Sequence, residues 1–306
     1  MADVAIAVHG GTAKRSPRRE AEAGQVRAAI ATAVAAGHDL LAAGRPALEA
    51  VEAAVVLLED DGLFNAGRGS LLTDEGAIEM DASIADGETQ RSGAVAAVRG
   101  VRNPVRAARA VLDDDEHALL VGEGAVRLAR ANGLELRPEW WFVTAKHQAG
   151  WLENAEAGLT ADEGQLGTVG AVALDARGNL AAATSTGGRP GQRPGRVGDS
   201  ALIGAGTWAR NATAAVSCTG DGELIIAGAL AHEVDALMRH RQLGLREACD
   251  QALTAGLGAL GGSGGLIAVD AEANLAVAFN SELMSRGWKL GGGPIETAVG
   301  GNERNG

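Results

Sequence analysis

An α+β fold, built in layers with mainly antiparallel sheets packed between helices, is what this sequence predicts, and three observations carry it. A strand–turn–strand text occurs twice, at 169–184 and again at 265–279, each time with an Asp-led turn between two apolar runs. Such hairpin grammar favours antiparallel pairing over a parallel βαβ sheet. Strands cluster, helices cluster, and strands return, without the strict alternation of a doubly wound fold. The 306 residues, 46% hydrophobic and 22% charged, suffice for a sizeable core and read as one domain over 1–306.

The elements follow in chain order. Val4 to Val8 is a short apolar strand, closed by the turn His9-Gly10-Gly11. Glu20 to Ala43 carries apolar residues at helical spacing and stops at Gly44; a second helix runs from Ala47 to Glu59 and stops near Gly62. Leu63 to Ser70 is a glycine-broken loop. Ile78 to Asp86 alternates apolar and acidic residues as a strand does, and Gly93 to Val98 gives another strand. Helical patterns return at Pro104 to Leu112 and Glu116 to Ala131. From about Ala145 to Gln165 the text turns polar, as an exposed connector does. Val169 to Leu174 and Asn179 to Thr184 form the first hairpin. A strand at Ala212 to Cys218 and helices at Glu223 to Arg239 and Leu245 to Leu260 lead to the second.

Charge excludes some functions. With 27 Lys+Arg against 39 Asp+Glu, the net charge of −12 leaves no basic face for nucleic acid. No apolar run reaches the roughly 20 residues that cross a bilayer, and the N-terminus lacks the basic start of a signal peptide. Two cysteines, Cys218 and Cys249, form no disulfide framework, so the expected home is reducing and cytoplasmic.

Several motifs tempt and fall. Gly204-Ala205-Gly206 and Gly256-Leu257-Gly258 mimic a dinucleotide fingerprint, yet neither has the strand before, the helix after and the acid about 20 residues on. His232-Glu233 with His240 misses the zinc register. The acidic run Asp113 to Glu116 reads as a helix N-terminus, which favours negative charge. Cys218 reads as an inert strand residue, and Trp140-Trp141 as core or interface.

Thr168 is the residue with chemistry in it. It follows Gly167 at the junction of the polar connector and a buried strand. If the Gly167–Thr168 bond were cut, one residue would carry both a hydroxyl and an α-amine, whose pKa near 7.7–8.0 suits a base close to neutral pH. Any Gly-Thr strand start has this form, so the dipeptide by itself does not single out a nucleophile.

Longer motifs do. HGG at 9–11, LFNAGRGSLLTDEGAIEMDASIADG at 63–87, GTVGAVALDARGNLAAATSTGG at 167–188, PGRVGDS at 194–200, SCTGDGE at 217–223, GGLIAVD at 264–270 and FNSELMSRG at 279–287 come in one order along most of the chain. Together they resemble the plant-type L-asparaginase/isoaspartyl peptidase family of N-terminal-nucleophile hydrolases. The resemblance implies an αββα four-layer sandwich, self-cleavage into 1–167 and 168–306, and assembly of the processed halves as an (αβ)2 homodimer. It implies hydrolysis of β-aspartyl dipeptides and L-asparagine through an ester on Thr168. Thr186 would orient the nucleophile, Thr219 and the N–H of Gly220 would form the oxyanion hole, and Asn65 would lend support. Arg196 and Asp199 would bind the substrate's α-carboxylate and α-ammonium, with Gly222 leaving room. No catalytic cofactor is implied. A structural sodium ion is, held by the backbone carbonyls of Leu58, Glu59, Asp61, Phe64, Ala66 and Arg68. Two departures stand out: the run Arg189-Pro190-Gly191-Gln192-Arg193, and Asp221 beside the oxyanion hole.

Rival readings remain. Glycosylasparaginase- and taspase-like threonine hydrolases place Asp before the nucleophile, where this chain has Gly167. A non-catalytic metabolite binder predicts an uncut chain, and a nucleotide-dependent oxidoreductase would require protection by NAD.

Overall fold

The computed structural model describes residues 4–144 and 167–301. The expected connector at 145–165 lies outside the described residues.

Among the described residues, eight strands form one sheet in the order β12-β11-β1-β5-β6-β2-β3-β4. These are β1 (Ala5–Ala13), β2 (Met80–Asp86), β3 (Ser92–Val98), β4 (Leu119–Val121), β5 (Val169–Leu174), β6 (Leu180–Thr186), β11 (Leu283–Leu290) and β12 (Glu296–Gly300). Four more, β7 (Thr207–Ala209), β8 (Ala214–Gly220), β9 (Gly264–Asp270) and β10 (Leu275–Phe279), make a second sheet in the order β10-β9-β8-β7. Every pairing is antiparallel except β3–β4. Helices α1 (Pro17–Ala42), α2 (Ala47–Asp61), α3 (Pro104–Asp114) and α4 (Gly122–Ala131) share a core with the outer face of the large sheet. Helices α6 (Gly222–Gly228), α7 (Leu230–Arg241) and α8 (Leu245–Gln251) cover the small one. A short turn, α5 (Glu139–Phe142), lies between the two sets in the chain. The inner faces meet in a third core of Ala5, Val172, Leu174, Leu180, Ile267 and Val269, among others. Helix, sheet, sheet, helix is the layering that the motifs implied. None of the described helices is long and apolar enough to cross a membrane.

The two hairpins use one device. Asp175 Oδ1 accepts from the N–H groups of Arg177 and Asn179 at 2.9 and 3.0 Å, and Asp270 Oδ1 accepts from Glu272 and Asn274 at 3.0 and 2.9 Å. An Asp carboxylate that satisfies two turn amides closes the hairpin with no special backbone at the Asp.

Several elements differ from the sequence reading. The first strand runs through the glycines to Ala13, with a register break between His9 and Thr12. Those glycines serve close approach: a Cβ on Gly10 would stand 2.4 Å from the Phe64 ring, and one on Gly11 (φ +94°) 2.5 Å from the backbone of Gly167. The expected helix from Glu116 starts only at Gly122, because Leu119–Val121 pairs along β3. The acidic run closes α3 at its C-terminal end, where Arg109 and Arg91 neutralise Asp113 and Asp115 at 3.0 and 2.7 Å. The Glu223–Arg239 helix breaks at Ala229, which sits at φ +44°. The last expected helix loosens into a π-helical turn at Ala252–Leu257. Trp140 is 74% exposed, whereas Trp141 lies edge-on against buried Phe142. Strands β7, β11 and β12 were not expected.

Candidate active site

Alternation along a strand puts residues two apart on one face, and at one end of the inter-sheet seam that rule gathers the site. Thr168 precedes β5, Thr186 ends β6, and Thr219 and Gly220 end β8. These residues line one cavity of about 530 Å³ with Gly167, Asn65, Gly188, Arg196, Asp199 and Gly222.

The hydroxyls are arranged unequally. Thr168 Oγ1 donates to Thr186 Oγ1 at 3.1 Å, and Thr186 Oγ1 also accepts from the N–H of Gly188 at 3.1 Å. Thr219 Oγ1 is buried with no hydrogen-bond partner among the described residues. It lies 3.3 Å from where a Cβ on Gly167 would stand, so it faces the peptide link before Thr168. Gly220, at φ +140°, could carry no side chain, since a Cβ would meet Gly264 Cα and Ser263 O at 2.4 Å.

The same cavity also gathers charge. Arg196 donates from Nε to Glu223 Oε1 at 3.0 Å and from Nη1 to Gln192 Oε1 at 3.3 Å. That bond holds the Glu223 carboxyl down at about 2. Asp199 is buried, and its Oδ2 has no partner among the described residues. Burial pushes its pKa up to about 7 against the pull of Arg196, with Asp81 and Glu223 adding to the rise. A Cβ on Gly222 would stand 2.8 Å from Asp199 Oδ1 and 2.9 Å from Arg196 Nη2. Only glycine at 222 lets the two charged groups converge.

Asn65 does not bond the nucleophile. Its Nδ2 donates to the Gly188 carbonyl at 2.6 Å and its Oδ1 accepts from the Leu71 N–H at 3.2 Å, so it supports the loop after Thr186. The six expected sodium-loop residues lie away from the cavity lining. The loop closes on itself, with Arg68 N–H donating to the Glu59 carbonyl at 2.7 Å. The Glu59 side chain points inward: its Oε1 accepts from Ser185 Oγ at 2.7 Å and Val105 N–H at 3.0 Å, and burial lifts its pKa to about 8.

The departures have local explanations. Gln192 is buried and locks the 189–193 turn by accepting from the Arg189 N–H at 3.0 Å. The Asp221 carboxylate is occupied by the Ser263 N–H at 2.7 Å. Sequence reasoning missed Asp81 and Glu79. Asp81 accepts from the N–H groups of Gly198 and Ala97 at 2.8 and 2.9 Å, and Glu79 accepts from Gly195 at 2.6 Å. Both clamp the loop that presents Arg196 and Asp199. Burial raises Asp81 to about 6 despite those two bonds. The alternation of acids along β2 was the available signal.

Comparison with known proteins agrees with the geometry. A family model described as asparaginase matches residues 2–299. The isoaspartyl peptidase of Escherichia coli K12 is 46% identical, covering 98% of this chain and 97% of its own. The isoaspartyl peptidase/L-asparaginase of Xenopus laevis is 43% identical over 92% of this chain and 90% of its own. The plant-type L-asparaginase of Pyrobaculum calidifontis is 43% identical over 92% and 96%.

Proposed function

The chain belongs to the asparaginase family, and from that premise we propose that it is a self-cleaving amidohydrolase acting on β-aspartyl dipeptides and L-asparagine. The observation that carries this reading is the buried Thr168–Thr186 hydroxyl pair with the unspent hydroxyl of Thr219 in the same cavity. Scission of Gly167–Thr168 gives Thr168 an α-amine that takes the hydroxyl proton as Oγ1 attacks the substrate's side-chain amide carbon. Thr186 keeps Oγ1 oriented. Negative charge develops on the carbonyl oxygen, where the Thr219 hydroxyl and the Gly220 N–H stabilise it. The amine, or amino acid, leaves with a proton; water then cleaves the β-aspartyl ester and regenerates the hydroxyl. Arg196 grips the α-carboxylate with its planar fork, and Asp199 takes the α-ammonium. Neutral Thr168 amine and ionised Asp199 are the required states.

The family also implies sodium in the 58–68 loop. Neutral carbonyl oxygens suit a hard monovalent cation, and no backbone N–H among the described residues bonds the carbonyls of Phe64 and Ala66. Its part would be to stiffen the loop that carries Asn65. Pairing of processed protomers into a homodimer belongs to the same reading. So does a reducing, cytoplasmic compartment, which suits the free, buried Cys218 and Cys249.

Intact-mass measurement tests the central step. The purified protein should resolve into two chains meeting at 167/168, and Thr168→Ala should stay whole and inactive on isoaspartyl dipeptides. A Thr168→Ala variant that splits and turns over would overturn the assignment.

A further inference from the structure

The three hydroxyls of the site rest on a second polar tier. Two residues deeper on the same strand faces stand Gly170 beneath Thr168, Thr184 beneath Thr186, Ser217 beneath Thr219 and Ser83 beneath Asp81. His9 joins them, paired across β1 and β5 with Gly170. His9 Nε2 lies 2.9 Å from Ser217 Oγ, and Ser217 Oγ lies 2.7 Å from Thr184 Oγ1. Thr207 Oγ1 donates to Thr184 Oγ1 at 2.5 Å and lies 2.8 Å from Ser83 Oγ, which in turn donates to the Ser200 carbonyl at 2.6 Å. All of these side chains are fully buried. A Cβ on Gly170 would stand 2.0 Å from Ser217 Oγ and 2.5 Å from His9 Nε2, so the chain of bonds runs through the space that this glycine leaves. Burial drives the His9 pKa down to about 3, which keeps the imidazole neutral at any working pH.

Apolar side chains fill the seam one pleat deeper, so buried hydroxyls here are not needed to cover surface. What they add is direction. Apolar faces slide past one another at small cost, whereas hydrogen bonds between sheets break with small displacements. His9, Thr184 and Ser83 belong to the large sheet, Thr207 and Ser217 to the small one. Thr168 and Thr186 ride on the large sheet and Thr219 on the small, so their relative position is set by how the sheets register.

We propose that the buried tier of His9, Ser217, Thr184, Thr207 and Ser83 is the positioning device of the reaction, holding Thr219 in register with Thr168 and Thr186. This rests on the hydrolase reading above. Its residues touch no substrate; they act through the residues above them, where a misplacement of about 1 Å costs on the order of 100-fold in rate.

The test compares Thr184→Val, which keeps shape and removes the hydroxyl, with Thr184→Ser, which keeps the hydroxyl. Both are assayed on an isoaspartyl dipeptide, with kcat normalised to processed chain and folding checked by thermal unfolding. Thr184→Val should lose about 10-fold or more in kcat with KM within about twofold, since Arg196 and Asp199 stay in place. Thr184→Ser should recover most of the loss. A folded Thr184→Val that stays uncut, while Thr184→Ser is cut, is the same result in its extreme form. Wild-type kcat in Thr184→Val overturns the proposal, and so does a Thr184→Ser as slow as the valine variant. If Thr184→Val does not fold, Ser217→Ala, which removes one oxygen atom, decides by the same criteria. A wild-type protein that cleaves no isoaspartyl dipeptide sinks both readings, whereas an active wild type matched by Thr184→Val sinks this one alone.

Discussion

At one end of the inter-sheet seam, Leu174, Leu180 and Ala215 pack in a dry, apolar layer; at the other end of the same strands, Thr168 (directly before β5), Thr186 and Thr219 face a cavity. Both ends obey one alternation. Leu180, Ala182, Thr184 and Thr186 all lie on the same face of β6, and the character changes from hydrocarbon to hydroxyl within two pleats. The contrast teaches that this site is no cleft added to a finished core. It is the core itself, continued in residues of similar size with an oxygen in place of a methyl group.

Substitutions along the seam can break that contrast or sharpen it. Apart from loss of Thr168 itself, the largest effect on turnover belongs to Thr219→Ala. If Thr219 is the oxyanion donor proposed above, removing it costs roughly 100- to 1,000-fold in kcat, read in steady-state assays at saturating substrate. Arg196→Lys comes next. The ammonium replaces a planar fork with a point charge, so KM should rise about 10-fold or more with kcat less affected, as a substrate titration shows.

Proton linkage gives a smaller, graded effect. Asp199 lies between Arg196, which lowers its pKa, and Asp81 and Glu223, which raise it, and burial sets the balance at about 7 rather than 3.8. The ionised form that the proposed ammonium contact requires is therefore lost in acid, and KM should climb as pH falls below about 7. Asp199→Asn should flatten that limb of the KM–pH profile while raising KM throughout. Without substrate the sign reverses. A raised native pKa means that the folded state binds the proton more tightly, so the Asp199 contribution to stability is present below the unfolded value and lost as pH rises through about 7. Leu180→Ala marks the dry end. Unfolding by urea should show a loss of about 2–5 kcal/mol, with kcat unchanged in the fraction that stays folded.

Much of this was legible in the sequence, for reasons that differ by element. The hairpins of β5–β6 and β9–β10 announced themselves because Asp175 and Asp270 act within four residues of their partners. Strand β11 did not, because Ser285, Arg286 and Gly287 break the apolar run by which a buried strand is recognised. Arg286 is in fact fully buried, donating to the Met284 and Gly300 carbonyls at 2.9 and 3.1 Å with its guanidinium over the Phe279 ring. The glycines at 10 and 11 read as a turn because a close approach to Phe64 or Gly167 leaves no local mark. At the site, ordered motifs exposed Thr168, Thr186 and Thr219. Asp81 escaped because its partner Gly198 is 117 residues away. Separations of 23 to 208 residues hide the hydroxyl tier in the same way, and its serines and threonines look like ordinary strand residues.

The strand order has a consequence for what scission at Gly167 would do. Reading across the large sheet, β12 and β11 come from beyond the cut, β1 from before it, β5 and β6 from beyond, and β2, β3 and β4 from before. The two pieces are braided: β1, from before the cut, is hydrogen-bonded on both sides by strands from beyond it, β11 and β5, and the β5–β6 pair from beyond the cut lies between β1 and β2 from before it. Severing the backbone therefore sacrifices no ladder. The fragments should travel as one body through any native column and part only in denaturant, and neither should refold alone, because three of the seven ladders of the large sheet join a strand of one piece to a strand of the other.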